Sequence, residues 1–210
     1  MRGLRRSWLS REVLTLSLFA GAAGAFAGML FFGLPDGAAP RLAAGFATAL
    51  AGLAGITCSA RIYIVRARPA WFSSYTVAEF FSTALLLGPA FVHMLDPRVP
   101  AAVWFASVAG GAAQLIVQSG KFLWLSQSET FELRSSSMLL AGRLRAPFVT
   151  RLAILVAAGI VIPITSASPW LTRSAFVAAL AGELLGRYLF FVSVVPKNIA
   201  AGFSVARRAA

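Results

Sequence analysis

Seven side chains in this sequence combine a residue type with a position that chemistry needs. Glu12 stands at the head of the first apolar run, Arg61 and Tyr63 at the end of the second, Trp71 in the connection that follows, and Glu79 one turn into the third. A carboxylate at the mouth of a membrane helix touches water and can accept protons. It can equally serve only to offset the positive end of the helix dipole. Arg, Tyr and Trp at such a boundary offer hydrogen-bond donors and a flat ring, or are ordinary snorkelling and aromatic-belt residues. The other two, Glu183 and Arg187, lie in the middle of the last apolar run, four residues apart. A charge at that depth costs about 2.5–3.5 kcal/mol on insertion scales, so the spacing predicts an intramembrane pair on one helix face. Gly182 and Gly186 each precede one of these charges and allow close approach of a neighbouring helix. The pair reads either as a lock between helices or as the lining of a polar cavity.

The elements that position these residues follow from composition. The chain has 210 residues, is 59% hydrophobic and only 12% charged, against about 25% charged in soluble domains. Six apolar runs are long enough to cross a bilayer: Val13–Leu34, Leu42–Val65, Tyr75–Leu95, Ala101–Leu125, Phe148–Ala167 and Ser174–Pro196. The expectation is an all-α, polytopic transmembrane helical bundle of about six spans, forming a single integral membrane domain over residues 1–210. Pro163 predicts an irregularity in the fifth span. The segments PDGAAPR, DPRVP and SASPWLTR read as short turns. Between the fourth and fifth spans, Ser126 and Glu129 have the spacing of a capping box, and an interfacial helix is expected to follow.

The basic residues divide unevenly between the two sides. Of 19 Lys and Arg, 15 fall on the side of the N-terminus, three (Arg41, Arg98 and Arg173) on the other, and Arg187 lies within the membrane. The positive-inside rule then places both termini in the cytoplasm. A net charge of +12 would point to nucleic acid in a soluble protein. Here it belongs to the loops of a membrane protein, and no nucleic-acid partner is expected. The single cysteine, Cys58, excludes a disulfide or a cysteine-ligated cluster within the chain. One histidine, His93, cannot supply both axial ligands of a bis-histidine haem. No bound metal or resident cofactor is expected. The first apolar run reads as a span, not as a cleavable signal peptide.

Three stretches together resemble the membrane anchor subunit (DmsC) family of dimethyl sulfoxide reductase. They are SWLSREVL from Ser7 to Leu14, RIYIVRARPAWFSSYTVAEFFSTALLLGP from Arg61 to Pro89, and GELLGRYLFF from Gly182. The likeness lies in a Ser-x-Glu helix head, then Arg-x-Tyr, Pro-x-Trp and Phe-Phe-x-Thr, and a final Gly-Glu-Leu-x-Gly-Arg. The resemblance implies a non-catalytic anchor subunit in a bacterial inner membrane. It implies menaquinone or ubiquinone as exchangeable substrate, an iron–sulfur (ferredoxin-like) partner subunit and a molybdopterin catalytic subunit. It ties Glu12 to quinol binding, with Arg61, Tyr63, Trp71 and Glu79 as further quinone-binding candidates. Family members usually have eight spans. This chain starts where the third is expected, without the preceding histidine, and carries Val77 where the family often has Pro. Two other readings compete: a secondary transporter using Glu183 and Arg187 at midplane, and a purely structural anchor. The sequence leaves open the terminal substrate, the direction of electron flow and the quinone type.

Overall fold

The computed structural model describes residues 7–33, 38–165 and 168–197, and among these there is no strand. The segments PDGAAPR and SASPWLTR lie partly outside the described residues, as do the basic residues at both ends of the chain. The helices are α1 (Trp8–Phe31), α2 (Ala38–Ile62), α3 (Ser74–Leu95), α4 (Ala101–Gln127), α5 (Phe131–Ala141), α6 (Arg145–Val156), α7 (Ile162–Thr165) and α8 (Pro169–Val192). A π-helical turn, Ala157–Val161, joins α6 to α7, so that Arg145–Thr165 forms one span. Among the described residues six helices are long and apolar enough to cross a membrane, as the hydropathy predicts. The chain divides into two compact units, Met1–Ile64 and Val65–Ala210.

In the first unit α1 and α2 pack against each other. The register is visible in the glycines of α2. Gly45 meets the Phe26 ring, Gly52 the Phe19 ring and Gly55 the Leu16 side chain. Steps of seven and then three residues up α2 match the same steps down α1, as an antiparallel pair requires. Each glycine makes room for a large side chain, the means by which apolar helices gain contact where no hydrophobic drive exists between them. A further step of four along both helices brings Ser59 to Glu12. Ser7 caps α1, accepting a hydrogen bond from the Ser10 N–H at 3.4 Å. The helix therefore begins five residues before the sequence placed it.

In the second unit α3 and α4 form the closest helix pair. Gly110 lies so near the α3 backbone that a Cβ there would sit 2.4 Å from the Leu86 nitrogen. The Ser107 hydroxyl donates to the Leu86 carbonyl at 3.1 Å. α8 packs on α6 and α3, and its two glycines face α6: Gly182 against Ile154 and Gly186 against Arg151. The close approach predicted for these glycines is thus present. A small core of Leu86, Leu155, Ala158, Ala175 and Ala179 closes the centre.

The irregularity expected at Pro163 is the π turn just before it. Proline has no N–H to give the carbonyl of Gly159. The Ile162 N–H bonds instead to the Ala157 carbonyl, in the wider π register. Gly111 of α4 packs against the Gly159 carbonyl, and a Cβ on Gly111 would stand 2.7 Å from that oxygen.

The capping box does not form. α4 continues to Gln127, and the Ser126 hydroxyl bonds back to the Leu123 carbonyl. The next helix starts beyond both residues, with Thr130 at its N-cap. That helix, α5, is the one expected at the interface. It buries Leu133, Ser136, Ser137 and Leu140 while Phe131 and Met138 are exposed.

Candidate functional site

The seven residues singled out in the sequence divide between the two units, with Glu12, Arg61 and Tyr63 in the first and Trp71, Glu79, Glu183 and Arg187 in the second.

In the first unit the antiparallel register of α1 and α2 sets Glu12 beside Ser59, whose hydroxyl donates to Glu12 Oε1. Glu12 is half-buried, more than a full turn into its helix. It is therefore not the first-turn charge that dipole stabilisation alone requires. Around it, the Arg11 guanidinium lies 4.4 Å and the Arg61 guanidinium 5.8 Å from the Trp8 ring centre. Tyr63 follows in the turn that ends α2, its N–H bonded to the Ala60 carbonyl at 3.2 Å. One end of the hairpin thus gathers a carboxylate, two guanidiniums and an indole. Ser59 and Trp8 are members that sequence reasoning missed. Both residue types are too common at membrane boundaries to stand out before the register is known.

In the second unit Glu79 is buried, with both carboxylate oxygens engaged. Lys121 Nζ donates to Oε2 at 2.8 Å and Gln118 Nε2 to Oε1 at 2.8 Å. Trp71 is buried too. Its ring stacks on Phe190 with centroids 5.1 Å apart, its indole N–H donates to the Phe190 carbonyl at 2.9 Å, and Arg68 lies 4.6 Å over it. Both side chains therefore have partners within the second unit. Glu79 was expected to reach a quinone oxygen and Trp71 to cover a quinone ring. Burial obliges each to find partners within the protein, and it has done so.

Glu183 and Arg187, expected as a pair, lie one turn apart on α8, and Glu183 also draws a cation from another helix. The cation that meets Glu183 comes from α6: Arg151 Nη2 lies 3.7 Å from Oε1, with both side chains buried. Gly186 makes this possible, because a Cβ there would stand 2.2 Å from the Arg151 guanidinium carbon. Gln114 Nε2 donates to Glu183 Oε2 at 2.8 Å and to the Thr83 hydroxyl at 2.7 Å. The Thr83 hydroxyl sits within hydrogen-bonding reach of Glu183 Oε2 and of the Glu79 carbonyl. Arg187, one turn on, stands 3.8 Å over the Phe80 ring. Four helices therefore share one polar cluster, where the sequence suggested a pair within one. Arg151 and Lys121 had been read as charges of the basic side; burial draws both into the cluster.

Gln114 and Gln118 were also missed. With Lys121 they recur at intervals of four and three along α4, a polar stripe on an otherwise apolar helix that is visible in the sequence. Among the described residues no group of three His, Cys, Asp or Glu side chains is placed to hold a metal ion.

The family model of the DMSO reductase anchor subunit (DmsC) matches residues 1–192. No curated protein and no solved structure matches the chain. The family match runs through both units and includes the Glu12 hairpin end and the Glu183 cluster. With this match over most of its length, and six helices among the described residues long and apolar enough to cross a membrane, the chain belongs to the DMSO reductase anchor subunit (DmsC) family and is a multi-pass membrane protein.

Proposed function

We propose that this subunit exchanges electrons between the quinone pool and an iron–sulfur partner subunit, which in turn serves a molybdopterin catalytic subunit. The quinone is menaquinone or ubiquinone, taken up and released as a substrate. Membership of an anchor family supports the assembly. The observation that carries the site is the Glu12 carboxylate, held by Ser59 beside Trp8, Arg11 and Arg61 at one end of the α1–α2 hairpin.

Quinol oxidation releases two electrons and two protons. The electrons leave toward the iron–sulfur partner, and the protons need an acceptor with a path to water. Glu12 supplies that acceptor. Ser59 holds one of its oxygens in place, and the other takes the hydroxyl proton. Arg61 and Tyr63 offer donors to a quinone oxygen, and Trp8 offers an aromatic face. Glu79 and Trp71 are held by partners within the second unit, and the proposed site does not rely on them.

The excess of basic residues on the side of the N-terminus supports an orientation in a bacterial inner membrane with both termini, and the partner subunits, in the cytoplasm. The test compares membranes containing the whole complex with the same complex assembled without this chain. The complex oxidises added quinol. Without the chain, activity with an artificial dye donor survives at the partner subunits and quinol oxidation is lost. Equal quinol oxidation in both preparations excludes the proposed role.

A further inference from the structure

The α1–α2 hairpin carries a second feature at the end away from Glu12. Arg41, Leu42, Gly45, Phe46 and Ala49, a stripe along α2, form with Phe26 of α1 an open groove of about 620 Å³. That is within the roughly 300–1,000 Å³ of small-molecule sites. Gly45 makes its floor, since a Cβ there would stand 3.3 Å from the Phe26 ring. Leu42 and Phe46 are exposed along its length. From Arg41 to Ala49 the groove runs about 12 Å, at a rise of about 1.5 Å per residue. The hydrocarbon core is about 30 Å thick, so this is most of the depth of one leaflet.

Arg41 is the one charged residue among those lining the groove. Its guanidinium is held at the hairpin turn, where Nη2 donates to the Gly33 carbonyl at 2.9 Å. A guanidinium has five N–H donors, and this bond uses one. Nε is buried and makes no hydrogen bond. Among the described residues no carboxylate stands within ion-pair distance of Arg41. Arg41 also lies in the first turn of α2, where the helix dipole favours an anion and disfavours a cation. The charge, the open donors and the helix end all call for an anion at the mouth of an apolar groove.

We propose that this groove binds one anionic phospholipid of the leaflet at the α1–α2 turn. Its phosphate sits on Arg41, as guanidinium and phosphate pair by charge-assisted hydrogen bonds. One acyl chain lies along Leu42, Phe46 and Ala49 toward the membrane centre. A single cation balances a single phosphodiester. A zwitterionic lipid would also bring an ammonium, for which the residues lining the groove offer no carboxylate. A quinone brings no negative charge to Arg41. The site is separate from the one proposed at Glu12 and does not depend on it.

Native mass spectrometry tests this on the full chain, purified in detergent and mixed with equal amounts of phosphatidylglycerol and phosphatidylethanolamine. The wild-type chain is expected to retain one phosphatidylglycerol in preference to phosphatidylethanolamine. Arg41→Gln is expected to lower that retention about tenfold, the loss of one charged hydrogen bond. Arg98→Gln removes a charge outside the groove and is expected to retain the lipid as the wild type does. Ala49→Trp fills the groove from an exposed position and is expected to displace the lipid. It keeps the test open if Arg41→Gln fails to fold. A wild-type chain that retains no lipid, as when a protein helix takes the groove, overturns the proposal. So does equal retention of the two lipids, unchanged retention in a folded groove variant, or an equal loss in Arg98→Gln.

Discussion

Glu183 shows how one buried charge is carried in this protein. Its stabilisation comes from Arg151 on another helix, from Gln114 and from Thr83, and depends on the missing side chain of Gly186. Breaking a buried pair leaves the surviving charge uncompensated, at a cost of about 3–5 kcal/mol. Glu183→Ala and Arg151→Ala are therefore each expected to reduce accumulation of the folded chain sharply. Replacing both with apolar residues of similar volume is expected to restore much of it, and quantitative blotting of membranes measures the recovery. Two single variants with wild-type levels would show that the pair carries no stability. The charge in the last span was legible in the sequence, but its partner was not. Arg151 lies 32 positions away at the edge of another apolar run, where the hydropathy pattern assigns it to the basic side of the membrane. Only the α6–α8 packing, set by Gly182 and Gly186, turns it inward.

At the level of helices, small residues decide the contacts. Gly110 and Gly88 belong to the same helix pair and make opposite predictions. A Cβ on Gly110 meets the Leu86 backbone at 2.4 Å, which cannot move without displacing α3, whereas a Cβ on Gly88 meets nothing within 4 Å. Gly110→Ala is expected to cost about 1–3 kcal/mol or more through overpacking. Gly88→Ala is expected to be neutral, or stabilising by about 0.5–1 kcal/mol through reduced backbone freedom. Thermal melts of the purified variants in one detergent separate the two, and equal melting temperatures would contradict the packing described. The six spans and their order were legible from hydropathy because each is long and apolar. The helix boundaries were less so. The head of α1 is polar where Ser7 caps it, and Ser126 matches the pattern of a cap while lying inside a continuing helix.

For the whole molecule, the account combines family, topology and one candidate site. The basic residues of the N-terminal side predict that a phosphatase fused after Ala210 is inactive and a cytoplasmic reporter at the same point is active. The opposite pattern would reverse the membrane orientation. The neighbourhood of three of the singled-out residues was legible in the sequence. Glu12, Arg61 and Tyr63 sit at one hairpin end, as their positions at the ends of two consecutive spans imply. Glu79 and Trp71 have the same apparent depth in the sequence, but burial commits them to the interior of the second unit. The central claim is that the Glu12 carboxylate receives the quinol proton, and the most direct measurement is quinol-dependent turnover of the Glu12→Gln variant in the assembled complex. Glutamine keeps the shape and can still bond to Ser59 but cannot take the proton. The account predicts normal assembly, unchanged activity with an artificial dye, and at least a tenfold loss of quinol-dependent turnover. An assembled variant that turns over quinol at nearly the wild-type rate would contradict it and reduce Glu12 to a structural partner of Ser59.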